Sequence, residues 1–329
     1  MRAFVNRRYG APDVMRLEEL PPPELTDAGV LVRVHAASVN ALDWHLLRGR
    51  PYLARLSEGI RRPKNHVRGV DLAGVVEAVG KEVTHLRVGD AVFGSRSGAF
   101  AEYVSGRNFV AMPTGLTFGQ AAAIPTAGLT ALQGLRDKGH LRAGQRVLIL
   151  GAGGGVGTYA VQIAKALGAE VTAATRTSSL DLMHSLGADH VIDHSTTDLT
   201  TAAQRHDLVL DIAGTRSPRE LRRLLTPHGT AVLVAPAAGN WAGPITHLVA
   251  AGATSLRSKQ KIRPVLASVD VTDLQTLADL VVAGKLTSVI DRTFAFDEIP
   301  DAVRHLESGG VRGKVVVEIR PQPIAGATS

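Results

Sequence analysis

The feature that most constrains this chain is "RVLIL" (146–150) running into "GAGGGVG" (151–157) and then "TYAVQIAKALG" (158–168), with glycine at five of the seven turn positions. A buried strand, a tight glycine turn and a helix with one apolar face let bare backbone approach a ligand closely, while amides at the helix start donate to an anion. The anion implied is a pyrophosphate. Aligned by its end, the motif reads Ala152-x-Gly154-x-x-Gly157, so an alanine replaces the usual first glycine and Gly153 and Gly155 fill the gaps. Gly154, Gly155 and Val156 are the amide donors expected. A glycine turn alone is weak; it gains force from four further strand signals downstream.

Those signals alternate with helices. "EVTAAT" precedes "SSLDLMHSLGA", "DHVID" precedes a loop, "HDLVLDIAG" precedes "SPRELRRLL", and "GTAVLVAP" precedes "GPITHLVAAG". Strand and helix repeated at this length predict a parallel, doubly wound sheet. Before about Leu116 the texture differs: "VLVRVHAASV", "LAGVVEAVG", "GDAVFG" and "AEYVSG" are short apolar runs broken by Gly, Pro and Asp, as in a compact β-rich domain. Residues 261–329 supply helix, strand, helix and strand, expected to fold back onto that first domain. The fold class expected is therefore α/β: a β-rich domain over 1–116 completed by 261–329, and a Rossmann-type domain over 117–260. A length of 329 residues suits two cores.

Where NAD is preferred, an Asp or Glu about 20 residues past the glycines holds the ribose 2′-hydroxyl. Here the second strand ends in Thr175-Arg176-Thr177-Ser178-Ser179, with no carboxylate to repel a phosphate. Arg176 is the candidate partner of a 2′-phosphate, with Thr175, Thr177 and Ser178 as hydroxyl donors. NADPH is thus expected over NADH.

Composition removes several alternatives. Cysteine is absent, so there is no disulfide framework, thiolate nucleophile or cysteine-built zinc site. No apolar run approaches the about 18 residues that cross a bilayer, and "MRAFVNRRYG" reads as a strand rather than a leader, which predicts a cytoplasmic protein. The net charge of +7 is spread along the chain, with "RRPKNHVR" (61–68) as the one local cluster, and aromatics are 4%. That argues for a solvated surface and against nucleic-acid binding.

The order β-rich domain, dinucleotide fold, C-terminal return, together with "AASVNALDWHLLRG", "GVDLAGVVEAVGKEVTHLRVGDAVFG", "GAFAEYV", "AAAIPTAGLTALQGL", "LGADHVID", "DLVLDIAG" and "GVRGKVVVEI", resembles the medium-chain dehydrogenase/reductase superfamily, in particular its zinc-free quinone oxidoreductase (zeta-crystallin-like) branch. The likeness runs along nearly the whole chain. It implies a GroES-like catalytic domain, NADPH as cofactor, and hydride transfer to a quinone or to an alkene conjugated to a carbonyl. Asn40 and Val70 stand where zinc-dependent relatives carry a cysteine and a histidine, so no metal is expected. The family's Asn-x-x-Asp-x-Tyr stretch falls on Asn40, Asp43 and His45. Asn40 is expected to donate to the substrate oxygen or the nicotinamide, Asp43 to organise the loop, and His45 to line the cleft or deliver a proton. Tyr52 and Arg48 are further cleft candidates.

By the same resemblance Thr130 lies near the nicotinamide ribose, Ala213 and Ala235 border the cofactor after the fourth and fifth strands, and Lys314 is a basic residue near the cleft. The family's lysine and tyrosine at the adenine end fall on Ser179 and His194, departures for which Arg176 would compensate. The basic loop 61–68 lacks a proline the family carries and is expected to take its own shape and gate the pocket. Relatives dimerise through a sixth strand, here assigned to 253–259, so a homodimer is expected. A rival reading, an NADPH-controlled RNA- or protein-binding module with little turnover, stays open, as does alkenal or enone reduction against quinone reduction.

Overall fold

The structure, a computed structural model, describes residues 1–50, 52, 55–199, 204–234 and 259–320. Two short strands, β1 (Arg2–Val5) and β2 (Arg16–Glu19), pair antiparallel. There follow β3 (Val30–Val39), α1 (Ala41–Arg48), α2 (Arg55–Glu58), β4 (Asp71–Val79), β5 (Ala91–Ser95), β6 (Tyr103–Gly106) and β7 (Phe109–Ala111). The second half begins with α3 (Phe118–Ala122), α4 (Pro125–Gln133), β8 (Arg146–Leu150), α5 (Gly155–Ala166), β9 (Glu170–Thr175), α6 (Leu180–Ser185) and β10 (His190–Asp193). It continues with β11 (His206–Asp211), α7 (Pro218–Leu224), β12 (Leu225–Leu233), β13 (Lys261–Pro264), α8 (Val271–Val282), β14 (Ile290–Ala295), α9 (Ile299–Glu307) and β15 (Lys314–Glu318).

The strands after β7 split between two sheets. β8 to β13 form a six-stranded, all-parallel sheet in the order β10-β9-β8-β11-β12-β13. Numbered within the domain this is 3-2-1-4-5-6, so the strand order reverses between β8 and β11, and a ligand crevice belongs at their carboxyl ends. The other sheet runs β14-β15-β3-β4-β5-β7, with β6 also on β3. β15 enters it antiparallel to β3, pairing Val315 with Val39 and Glu318 with Ala36. The chain's last strand is thereby placed beside the start of α1.

One expectation is corrected. The return to the first domain does not begin at 261: β13 pairs with β12, Lys261 opposite Thr230 and Pro264 opposite Leu233. Helix α8 packs on α4, its Leu277 so close that a Cβ on Gly128 would lie 2.9 Å from it, and also reaches β7 of the first sheet. The chain rejoins the first sheet only at β14. With one apolar residue in "KIRP", the sixth strand carries almost no apolar signal of its own. Of the segment 253–259, expected to be that strand, all but Lys259 lies outside the described residues.

Helix α4 ties the halves together. Eight of its nine residues are buried, including Leu129, Thr130 and Gln133. A helix buried nearly all round sits between layers rather than on a surface, and its first turn is thereby delivered to the floor of the inter-domain cleft.

Candidate active site

The glycine turn is built by close contacts at some positions and left open at one. Gly151 has φ +82°, in the left-handed region that favours glycine. A Cβ on Gly157 would lie 2.4 Å from the carbonyl oxygens of Gly151 and Ala152, and one on Gly153 would lie 2.6 Å from Thr175 Oγ1. Gly154 differs: the nearest atom to an added Cβ is Gly151 O at 3.7 Å, an ordinary contact. That open flank, at the N-cap of α5, is the surface a ligand can approach. The amides of Gly155 and Val156 head the helix and have no carbonyl a turn earlier within it. Gly154's own N–H is already used, donating to Gly151 O at 3.3 Å. That leaves Gly155 and Val156 as the candidate anion donors, Gly155 lying beside Gly313 in the bridge that joins Gly154 of the turn to the residue before β15.

Beside the turn lies a cavity of about 320 Å³ lined by Gly154, Thr175, Arg176, His194 and Ala213, so the structure brings together five of the residues expected at the cofactor. Among the described residues no carboxylate lines it. Arg216 does, and Arg312 borders it, donating from Nη1 to Ser178 O at 3.3 Å. Arg176 reaches across toward Gly310, where an added Cβ would be 3.6 Å from Nη1. The basic end thus draws on three arginines of which sequence reasoning found one. Arg216 follows "DIAGT" after β11, and Arg312 sits two residues before Lys314; neither position carries a spacing signal. Thr175 does not reach out as a donor, being 3% exposed with its hydroxyl against Gly153. The Thr177 hydroxyl is committed to Asp193 Oδ2 at 2.5 Å. Ala235 lies outside the described residues.

Across the turn from this cavity is a buried polar cluster. Gly313 N–H donates to Gly153 O at 3.0 Å, and the next residue, Lys314, extends its Nζ to Asn40 Oδ1 at 2.5 Å and Val39 O at 3.3 Å. Asn40 Nδ2 donates to Asp71 Oδ2 at 3.0 Å and to Ser38 O at 3.4 Å. Asp71 also accepts from Thr126, from the amide at 3.0 Å and the hydroxyl at 2.6 Å. Asp43 closes the start of α1, its Oδ2 accepting from Asn40 N–H at 2.8 Å. Asp71, Asn40, Asp43 and Lys314 are all at most 6% exposed.

Burial sets the ionisation here. It pushes the Asp43 carboxyl up to about 7, against the pull of the Asn40 amide, and Asp71 adds to the rise. Burial raises Asp71 as well, opposed by Lys314 and by its hydrogen bonds, and burial lowers the Lys314 ammonium, opposed by the two carboxyls.

The expected role of Asn40 changes accordingly. Both of its amide hydrogens are engaged and its oxygen is taken by Lys314, so Asn40 is a positioning residue that holds α1, β4 and β15 together. Sequence reasoning missed Asp71 and Thr126 as the other ends of this network. His45 is half-buried against Trp44, with ring centroids 4.3 Å apart, and burial lowers its pKa. Tyr52 lies instead under Arg55, 4.8 Å from ring centre to guanidinium carbon, in a stack that includes Tyr9 at 4.4 Å. Arg48 pairs with Glu307. Thr130 is buried in α4 and donates its hydroxyl to Thr126 O at 2.6 Å.

A second cavity, about 270 Å³, opens between the domains and abuts the cluster through Thr126; Leu42, Val70, Ser95, Arg96 and Leu129 also line it. Among the described residues no three His, Asp or Glu side chains converge as metal ligands, and the basic loop is pinned to neighbours by Lys64 N–H to Glu58 O at 2.7 Å and by Asn6 N–H to His66 O at 2.9 Å.

Comparison with known proteins agrees with this arrangement. Residues 26–133 match the alcohol dehydrogenase GroES-like domain, 134–224 the alanine dehydrogenase/PNT C-terminal domain, and 186–317 the zinc-binding dehydrogenase family. The chain is 33% identical to the mitochondrial NAD(P)H oxidoreductase RTN4IP1 of Homo sapiens, over 97% of this chain and 89% of that one. It is 33% identical to 2-methylene-furan-3-one reductase of Solanum lycopersicum, over 98% of this chain and 80% of the relative. The quinone oxidoreductase of Coxiella burnetii superposes with a TM-score of 0.84 at 30% identity, covering 97% of this chain and 99% of that one. This chain belongs to the medium-chain dehydrogenase/reductase superfamily.

Proposed function

We propose that the protein is a zinc-independent, NADPH-dependent oxidoreductase that reduces a quinone or an α,β-unsaturated carbonyl. The observation that carries the reading is the open flank of Gly154 at a helix start, next to a cavity lined by Arg176 and Arg216 and, among the described residues, by no carboxylate. The relatives' names cover both acceptor classes, a quinone oxidoreductase and a reductase of a conjugated furanone.

When bound, NADPH supplies the hydride. Gly155 and Val156 amides would hold its pyrophosphate, and Arg176, with Arg216 and Arg312 at hand, its 2′-phosphate. Gly153, pinned to Gly313, fixes the turn against the first domain, and the Lys314–Asn40–Asp71–Thr126 network fixes the floor of the cleft in which the acceptor lies. Asn40 and Val70 offer no metal ligand of the expected kind. That favours acceptors whose conjugation accepts hydride without a Lewis acid. Burial lowers the His45 pKa, which disfavours its imidazolium as the proton source and points to solvent for the proton that completes reduction.

A homodimer belongs to the same reading: β13 is the terminal strand of its sheet among the described residues, and an unpaired edge invites pairing. A cytoplasmic location is also proposed, although several relatives are named mitochondrial or chloroplastic. The test of function is a panel of 1,4-benzoquinone, 9,10-phenanthrenequinone, an enone and a simple ketone. Turnover of the conjugated acceptors and none of the ketone supports the reading; ketone reduction alone would sink it.

A further inference from the structure

Beyond the cleft lies a third cavity, about 430 Å³, lined by Lys64, Asn65, His66, Arg96, Ser97 and Ser105 among others, with no Asp or Glu among the described residues of its wall. Arg96 and Ser97 line the inter-domain cleft too, so the two cavities meet at this pair. Lys64 and Arg96 have no carboxylate ion-pair partner among the described residues, and Arg96 Nε donates to the backbone oxygen of Ser105 at 3.3 Å. His66 Nδ1 is buried without a hydrogen-bond partner. The cavity is also built rather than loose. Lys64 is anchored to Glu58 and His66 to Asn6 through the backbone, and Arg68, 3% exposed behind them, donates from Nε to Asn6 Oδ1 at 2.7 Å. With Glu18 near His66 but, among the described residues, no carboxylate paired to Lys64 or Arg96, two cationic side chains on one concave wall favour an anion there.

We propose that Lys64, His66 and Arg96 form a subsite for an anionic group, a carboxylate or phosphate, adjoining the acceptor cleft. It rests on the reading of that cleft as the acceptor site in one respect only: a ring in the cleft would place an anionic arm across Arg96. The anion is then either that arm or a separate small ligand.

The test is calorimetric, on the full chain, with the enone benzylideneacetone carrying a para-carboxylate and with its methyl ester. The carboxylate should bind wild type about tenfold more tightly than the ester, the value of one charge-assisted contact, and the advantage should vanish in Lys64→Gln/Arg96→Gln. Equal binding of the two enones together with succinate binding that the double variant abolishes would assign the subsite to a separate anion. If neither anion distinguishes wild type from the variant, the proposal is overturned. Should the double variant fail to fold, the exposed Lys64→Glu alone should reverse the preference toward the ester, and an unchanged preference would equally overturn it. Binding reads the subsite whether or not NADPH is oxidised; turnover of the ester with NADPH tests the proposed function separately.

Discussion

Lys314 Nζ lies 2.5 Å from Asn40 Oδ1 although 274 positions separate them in the chain. Because Gly313, one residue earlier, is hydrogen-bonded to Gly153, a single strand end links the cofactor turn to the floor of the cleft. Removing this ammonium leaves Asp71 without the cation that opposes its burial and Asp43 with only Arg68. Lys314→Met should lower the free energy of unfolding by about 3–5 kcal/mol, read from urea denaturation at neutral pH. A loss below about 1 kcal/mol, the scale of an exposed pair, would mean the cluster is not the tie described here.

The Asp43 carboxyl gives the stability a pH dependence of defined sign. Its ordinary value of 3.8 is raised to about 7 in the folded chain, so between these values the folded state holds a proton the unfolded state has lost. Its contribution is present at low pH and disappears as pH rises through about 7. Urea midpoints from pH 4 to 8 should show this decline in wild type and a flatter profile in Asp43→Asn. Parallel profiles would refute the assignment.

Glycines of the turn should separate by mechanism. Gly154→Ala adds a methyl that meets nothing closer than 3.7 Å, whereas Gly157→Ala places one 2.4 Å from two carbonyl oxygens. Gly154→Ala should therefore keep the wild-type Tm and lose coenzyme affinity, and Gly157→Ala should lose stability. Thermal melts paired with NADPH titration decide it; undiminished affinity in Gly154→Ala would place the pyrophosphate elsewhere.

Arg176→Gln removes one charge-assisted contact, worth about 1.5–3 kcal/mol, or roughly ten- to hundredfold in affinity. KM for NADPH should rise on that scale while KM for NADH stays within about twofold. If Arg216 and Arg312 take up the charge the rise will sit at the low end, and equal effects on both coenzymes would argue that Arg176 does not face the 2′-phosphate.

What the sequence made legible was local. The strand, glycine turn and helix are contiguous, so their spacing alone announces the motif, and the missing carboxylate after β9 is read at one position, next to Arg176. The alternation of strand and helix likewise exposes the parallel sheet. The buried cluster was hidden because its members come from β4, α1, α4 and β15: Asp71 and Thr126, 55 positions apart, carry no mutual spacing. Lys314 and Asn40 were singled out through resemblance, but only the pairing of β15 with β3 shows that they touch. The sixth strand was misplaced because Ile262 is its lone apolar residue; its partner β12, not its own pattern, defines it.

The most direct test of the central claim is the kcat/KM for 9,10-phenanthrenequinone measured with NADPH and with NADH on protein dialysed against a chelator. This account predicts robust turnover after chelation and at least about a tenfold preference for NADPH. Turnover that vanishes with the metal and returns with added zinc, or an enzyme that favours NADH, would contradict it.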